Sequence, residues 1–134
     1  MREIKFRGKR ISNGKWLYGD LMHDTVGGCY VFPIDCAALY KENAILPETM
    51  GQYTGLKDKN GKEIYEGDII RSFDSDGDAI LHCIVWEEAR FVALYKGRYF
   101  RSKCFLKQDW LDEYDKEVIG NIYDNKNLLG EVEL

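Results

Sequence analysis

The chain has 134 residues, 45% of them hydrophobic and 31% charged; this suits one globular domain or two small halves and excludes a disordered chain. Its formal net charge of −4 argues against a broad electrostatic grip on nucleic acid. Nine Tyr, six Phe and three Trp, with thirteen Gly and only two Pro, favour strands joined by tight turns over helices.

The first residues, Met1 to Arg7, alternate charged and apolar side chains without an apolar leader core, so no signal peptide is expected. No apolar run reaches bilayer-spanning length. The expected location is cytoplasmic, with Cys29, Cys36, Cys83 and Cys104 as reduced, buried or half-buried structural thiols. No C-x-x-C pair occurs, and His23, Cys29 and Cys36 are poorly spaced for zinc, so no metal is expected.

Ile4 to Ile11 reads as a strand running into an exposed basic tip. Asn13-Gly14 marks a hairpin turn, and Lys15 to Leu21 returns as a strand. Asp24 to Gly28 is a loop, and Cys29 to Phe32 a short strand stopped by Pro33. Cys36 to Asn43 fits a helical turn or a loop with a β-bridge, and Pro47 ends whatever precedes it. The stretch Ile45 to Ile70 is the most informative. Its Asn60-Gly61 is a strong hairpin signal, because a type I′ turn needs positive φ at both central residues. Gln52, Tyr53 and Thr54 favour strand before that turn, and Ile64 and Tyr65 after it. Glu66-Gly67-Asp68 then enters Ile69-Ile70 in the manner of a strand-starting turn, with Asp68 as a turn-closing carboxylate.

Asp74 to Asp78 is the next turn. It resembles a fragment of a calcium loop, but the twelfth position counted from Asp74 is Val85 and strands flank it, so a hairpin turn is expected. Ala79 to Glu87 and Arg90 to Tyr95 form a long hairpin with Glu88-Ala89 at the bend. Arg98 to Phe105 follows as a strand or edge, Leu106 to Tyr114 as one short helix, and Glu117 to Tyr123 as a last strand. Each Asn-Gly hairpin is followed by a Gly-Asp step, at 19–20 and 67–68, too short an echo to be a repeat.

Three blocks carry a resemblance to a known family. They are Arg2-Glu3-Ile4-Lys5-Phe6-Arg7-Gly8 with Trp16-Leu17-Tyr18-Gly19-Asp20; Met50 to Asp58 through Glu66-Gly67-Asp68-Ile69-Ile70; and Val118-Ile119-Gly120-Asn121-Ile122-Tyr123. Together they resemble the YopX family of phage and prophage proteins over nearly the whole chain. The resemblance implies a mainly β fold, an SH3-like barrel with extra hairpins and at most one or two short helices, in a phage accessory protein. It transfers no activity and no site residue. The expected organisation is a single compact domain, 1–134, divisible into an N-terminal hairpin region, 1–49, and a barrel region, 50–134.

Catalytic patterns are missing: there is no G-x-S-x-G, phosphate loop, dinucleotide fingerprint or H-E-x-x-H. His23 and His82 read as hydrogen-bonded structural residues, and Trp16, Trp86 and Trp110 as core anchors. The expectation is therefore a protein that is not an enzyme and needs no cofactor. Arg90 to Lys107 is the segment that stands out. It carries Arg90, Lys96, Arg98, Arg101, Lys103 and Lys107 without an intervening acid, interleaved with Phe91, Tyr95, Tyr99, Phe100 and Phe105. Cations can hold phosphates while ring faces stack on bases, which makes Arg90, Lys96, Arg98, Tyr99, Arg101 and Lys103 the candidate nucleic-acid residues. Strand alternation speaks for the other reading, a solvated hairpin with its rings turned to the core. Residues 1–15 hold six basic side chains against one acid, and 107–134 three against eight, which invites pairing of the ends or head-to-tail contact between copies. A protein-binding or self-associating module leads, and nucleic-acid binding is the alternative.

Overall fold

The computed structural model describes residues 2–33, 40–96, 101–113 and 115–129. They form two compact units, Met1–Gly55 and Leu56–Leu134. The fold is mainly β, as expected, and its pairings are antiparallel.

In the first unit, β1 (Phe6–Lys9) pairs with β2 (Trp16–His23) on one side and β4 (Gly51–Lys57) on the other, and β3 (Cys29–Phe32) pairs with β2, giving the order β3-β2-β1-β4. Leu17, Cys29, Val31 and Ile45 form its core, with Leu21 and Met50 against them. Their burial is the main favourable term here, on the order of 2 kcal/mol for each large apolar side chain. Residues 40–49 hold 3-10 turns at Tyr40–Asn43 and Pro47–Thr49 and bridges from Ile45 to Arg10 and Ala44 to Tyr30. The preceding turn and bridges end before Pro47, as expected, and Pro47 opens the next turn, since the first position of a turn needs no N–H. The tip expected to be basic and exposed is partly inverted. Ile4 is 54% exposed, whereas Arg7 is 5% exposed, its guanidinium 4.5 Å from the centre of the Trp16 ring. Cation–π contact lets Arg7 lose water without an apolar neighbour facing a bare charge.

In the second unit, β5 (Glu63–Tyr65) follows β4 through a hairpin. A separate sheet has the order β10-β6-β7-β8-β9, from β6 (Asp68–Phe73), β7 (Ala79–Glu87), β8 (Arg90–Lys96), β9 (Arg101–Phe105) and β10 (Glu117–Asn121). Between β9 and β10 lies α1 (Gln108–Asp112), inside the span expected to be helical. The core is Ile64, Ile70, Ile84, Ala93 and Leu111, with Leu56, Cys104, Leu106, Trp110 and Val118 packed on it. Neither sheet closes on itself among the described residues. Trp110 anchors this core as expected, but Trp86 does not: it sits near the end of the β7–β8 hairpin, 54% exposed.

One turn recurs. Asp24, Asp58 and Asp74 each open a five-residue loop with glycine in the fourth place, Gly27, Gly61 and Gly77, at φ of 90°, 78° and 84°. In each, Oδ1 of the aspartate accepts the N–H groups two and four residues on: Val26 and Gly28, Asn60 and Lys62, Asp76 and Asp78. The first backbone N–H donates to the fifth carbonyl in every case, at 3.0, 2.9 and 2.9 Å. This is an Asx-type turn, and it corrects the reading of Asn60-Gly61 as a two-residue type I′ hairpin. Only Gly61 takes positive φ, because the Asp58 carboxylate shapes a longer loop. The Asp74 loop is a hairpin turn between β6 and β7, as expected.

Candidate functional site

The six residues expected to bind nucleic acid divide. Arg98 and Tyr99 lie outside the described residues. Lys96 and Arg101 are register partners across β8 and β9. Arg90 lies 4.2 Å from the centre of the Phe105 ring, and Lys107 Nζ 5.8 Å from the same ring. Lys103 is paired with Glu87 at 2.5 Å, so the basic segment receives an acid from the neighbouring strand. The rings divide as alternation requires. Phe91 packs edge-on against Trp86 at 4.8 Å and Tyr95 lies 5.9 Å from His82, while Phe105, opposite the buried Val92, belongs to the other side with Arg90. Phe105 is 52% exposed.

The strand edges differ in how their backbone groups are used. The outer edge of β3 is taken up by residues 43–45: Ile45 N–H donates to the Cys29 carbonyl and Asn43 Nδ2 to that of Val31. On β10, Val118 N–H donates to Asp58 Oδ2 and Asn121 N–H to Asn125 Oδ1. The three-residue β5 has its Tyr65 N–H held by Asp68 Oδ2. On β9 the bond from Leu106 N–H to the Phe91 carbonyl sets the phase, so Ser102 and Cys104 face β8 while Arg101, Lys103 and Phe105 turn their N–H and C=O groups outward. No described residue bonds to that outer edge.

Several other polar groups are employed in the scaffold. Asp68 closes the turn into β6, as expected. Asp58 is buried and holds three backbone N–H groups, of Asn60, Lys62 and Val118. The Asp24 carboxyl is held below the usual carboxylate range chiefly by the Gly28 N–H, then by the Tyr30 hydroxyl. Cys29 and Cys83 are buried free thiols and Cys104 is half-buried; Cys36 lies outside the described residues. Burial, and then the nearby Asp68 charge, push the Cys83 thiol up to about 12, which makes it a poor nucleophile. His82 departs from expectation. It is buried, yet its Nδ1 has no hydrogen-bond partner, and its ring is held edge-on by Trp110 at 5.0 Å. Burial and then the Lys116 charge lower it to about 4, so it is neutral at pH 7. Among the described residues no group of three or more His, Cys, Asp or Glu could hold a metal ion.

A pocket of about 330 Å³ that the sequence did not disclose lies in the first unit, lined by Glu3, Ile4, Lys5, Tyr18, Gly19, Asp20 and Phe32. The register sets Asp20 opposite Phe32, and alternation puts Tyr18 on the same side of β2 as Asp20. Glu3 is tied to Lys5 at 3.1 Å. Asp20 is exposed and has no hydrogen bond or ion pair among the described residues. The two Gly-Asp steps thus differ: Asp68 builds a turn, and Asp20 faces a pocket.

Two small antiparallel β units define a mainly β protein, with the outer edge of β9 and the pocket of the first unit among its described surface features. The chain belongs to the YopX protein family, whose model matches residues 5–130. None of the curated proteins compared with it matches. Among solved structures it is similar to protein EF1440 from Enterococcus faecalis, with 24% identity and a TM-score of 0.64 over 96% of this chain and 99% of that one. At that identity the likeness speaks for the fold alone.

Proposed function

We propose that this YopX-family chain is a phage-derived accessory protein of the cytoplasm, a non-catalytic module that binds a protein partner or its own copies by adding a strand to β9. The carrying observation is the edge itself: β3, β5 and β10 have backbone groups engaged, whereas β9 turns three residues' N–H and C=O groups outward beside the half-exposed Phe105. An incoming strand gains main-chain hydrogen bonds there, and Phe105 offers it apolar area. The second unit is read as a small SH3-like barrel. Its support is strand order: a four-strand meander, a short helix, and a last strand returning beside the first.

The test removes one outward donor and no ladder bond. Lys103→Pro deletes an N–H that faces away from β8. The expected result is that a self-associated species in light scattering, or a phage or host protein co-eluting with the chain, is lost in the variant while the melting temperature holds. A strict monomer that retains no protein overturns the reading. A second reading, nucleic-acid binding, is favoured by Arg90 and Lys107 flanking the exposed Phe105 ring. It predicts a salt-sensitive gel shift weakened by Arg90→Glu; absence of any shift at low salt ends it.

A further inference from the structure

We propose that the pocket of the first unit binds a guanidinium group, the side chain of an arginine presented by a partner protein. This goes beyond the β9 reading and does not depend on it, since every lining residue lies in Met1–Gly55.

The chemistry follows from which charges are in use. Of the pocket's charged groups, Glu3 and Lys5 neutralise one another at 3.1 Å, and Lys5 Nζ also lies 5.4 Å from the centre of the Tyr53 ring. Asp20 is left as a carboxylate with no described partner, so the described lining carries one net negative charge. Tyr18 and Phe32 supply ring surface beside it. Carboxylate plus aromatic surface suits a planar cation, which can accept an ion pair in its plane and ring contact on its faces. Arginine meets both demands, and a lysine ammonium, compact and strongly hydrated, meets the second less well. About 330 Å³ is at the small end of ligand pockets and holds a single side chain rather than a large ligand. The source is a protein because the rim is apolar and open. Ile4 is 54% and Tyr18 44% exposed, giving residues that flank the arginine something to pack on. Gly19 permits the geometry: a Cβ there would lie 2.1 Å from the Phe32 carbonyl oxygen, so only glycine lets β2 run this close to the end of β3.

The probe is N-acetyl-arginine amide, titrated into the whole chain and followed by amide chemical shifts. Saturable shifts at Tyr18, Gly19 and Asp20 are expected, weakened at least tenfold by Asp20→Asn. That variant changes an exposed side chain without a described contact, and an unchanged melting temperature confirms that it folds. N-acetyl-citrulline amide, the uncharged isostere, should not bind, and N-acetyl-lysine amide should bind more weakly. If Asp20→Asn also lowered the melting temperature, Tyr18→Ala would carry the same expectation of weaker binding. Equal response to citrulline, full binding by Asp20→Asn in a folded chain, or no saturable shift overturns the proposal. Tighter binding of spermidine than of the arginine probe overturns the assignment to a protein arginine in favour of a free polyamine.

Discussion

Glu88 and Ala89 stand at φ of 52° and 62°, between the paired Glu87 and Arg90. This is the two-residue turn with positive φ at both positions, and the chain builds it from residues that resist it. A Cβ in the left-handed region costs roughly 1–2 kcal/mol per residue. The Asn-Gly pair at 60–61, which suits such a turn, sits instead in a longer loop where only Gly61 needs positive φ. Moving the favoured pair to the strained place should therefore stabilise the protein. Glu88→Asn combined with Ala89→Gly should raise stability by about 1 kcal/mol, the relief of strain being partly offset by the greater unfolded-state freedom of glycine. A urea-denaturation midpoint that falls in the double variant would show that the neighbouring Trp86–Phe91 and Lys103–Glu87 contacts, not the turn, set the local stability.

The three Asp-x-x-Gly-x turns are alike in geometry and unlike in burial, which makes their aspartates a controlled comparison. Asp58 is 7% exposed and also holds the Val118 N–H of β10, so it ties a hairpin to a sheet edge; Asp74 holds only its own loop in solvent. Asp58→Ala removes a buried acceptor from three part-buried N–H groups, of which Val118 is the least open to water, and should cost about 2 kcal/mol, whereas water replaces Asp74 and Asp74→Ala should cost about 1 kcal/mol or less. Equal losses in denaturant titrations would mean that loop shape, not burial, decides. These turns also show what was legible in the sequence. Gly and Asp marked where each turn falls, residues that favour strand marked Ile64-Tyr65, and the span Leu106 to Tyr114 contained α1. Turn type was not legible, because a carboxylate reaching two and four residues ahead leaves the same letters as a shorter hairpin. Trp86 and Arg7 were misjudged for a related reason: exposure depends on what lies across the sheet, not on residue type. The pocket was illegible because Glu3, Asp20 and Phe32 come from three separate segments, and only the fold shows Asp20 at a pocket without a partner among the described residues.

Over the whole molecule, ionisable groups give the two units different acid sensitivities. The second unit contains 17 acidic and 12 basic side chains against 6 and 7 in the first, and it holds His82. His82 titrates at about 4 when folded and near 6.5 when unfolded, because burial against Trp110 and the charge of Lys116 oppose the imidazolium. Between those values the unfolded chain binds the extra proton. The stabilising contribution is therefore complete above pH 6.5 and is lost progressively as pH falls towards 4, at most about 3 kcal/mol at roughly 1.4 kcal/mol per pH unit. Asp24, in the first unit, is shifted the same way by the Gly28 N–H, but its contribution is present above its ordinary value of 3.8 and is lost only below it. Acid should thus weaken the second unit first. Urea denaturation at pH 7 and pH 5 should show a loss of stability in the native chain that His82→Gln largely removes, since glutamine takes up no proton in this range. If the variant loses as much between the two pH values as the native chain, the titrating group lies elsewhere, and His82 is simply a ring packed against Trp110 with no hold on the molecule's response to acid.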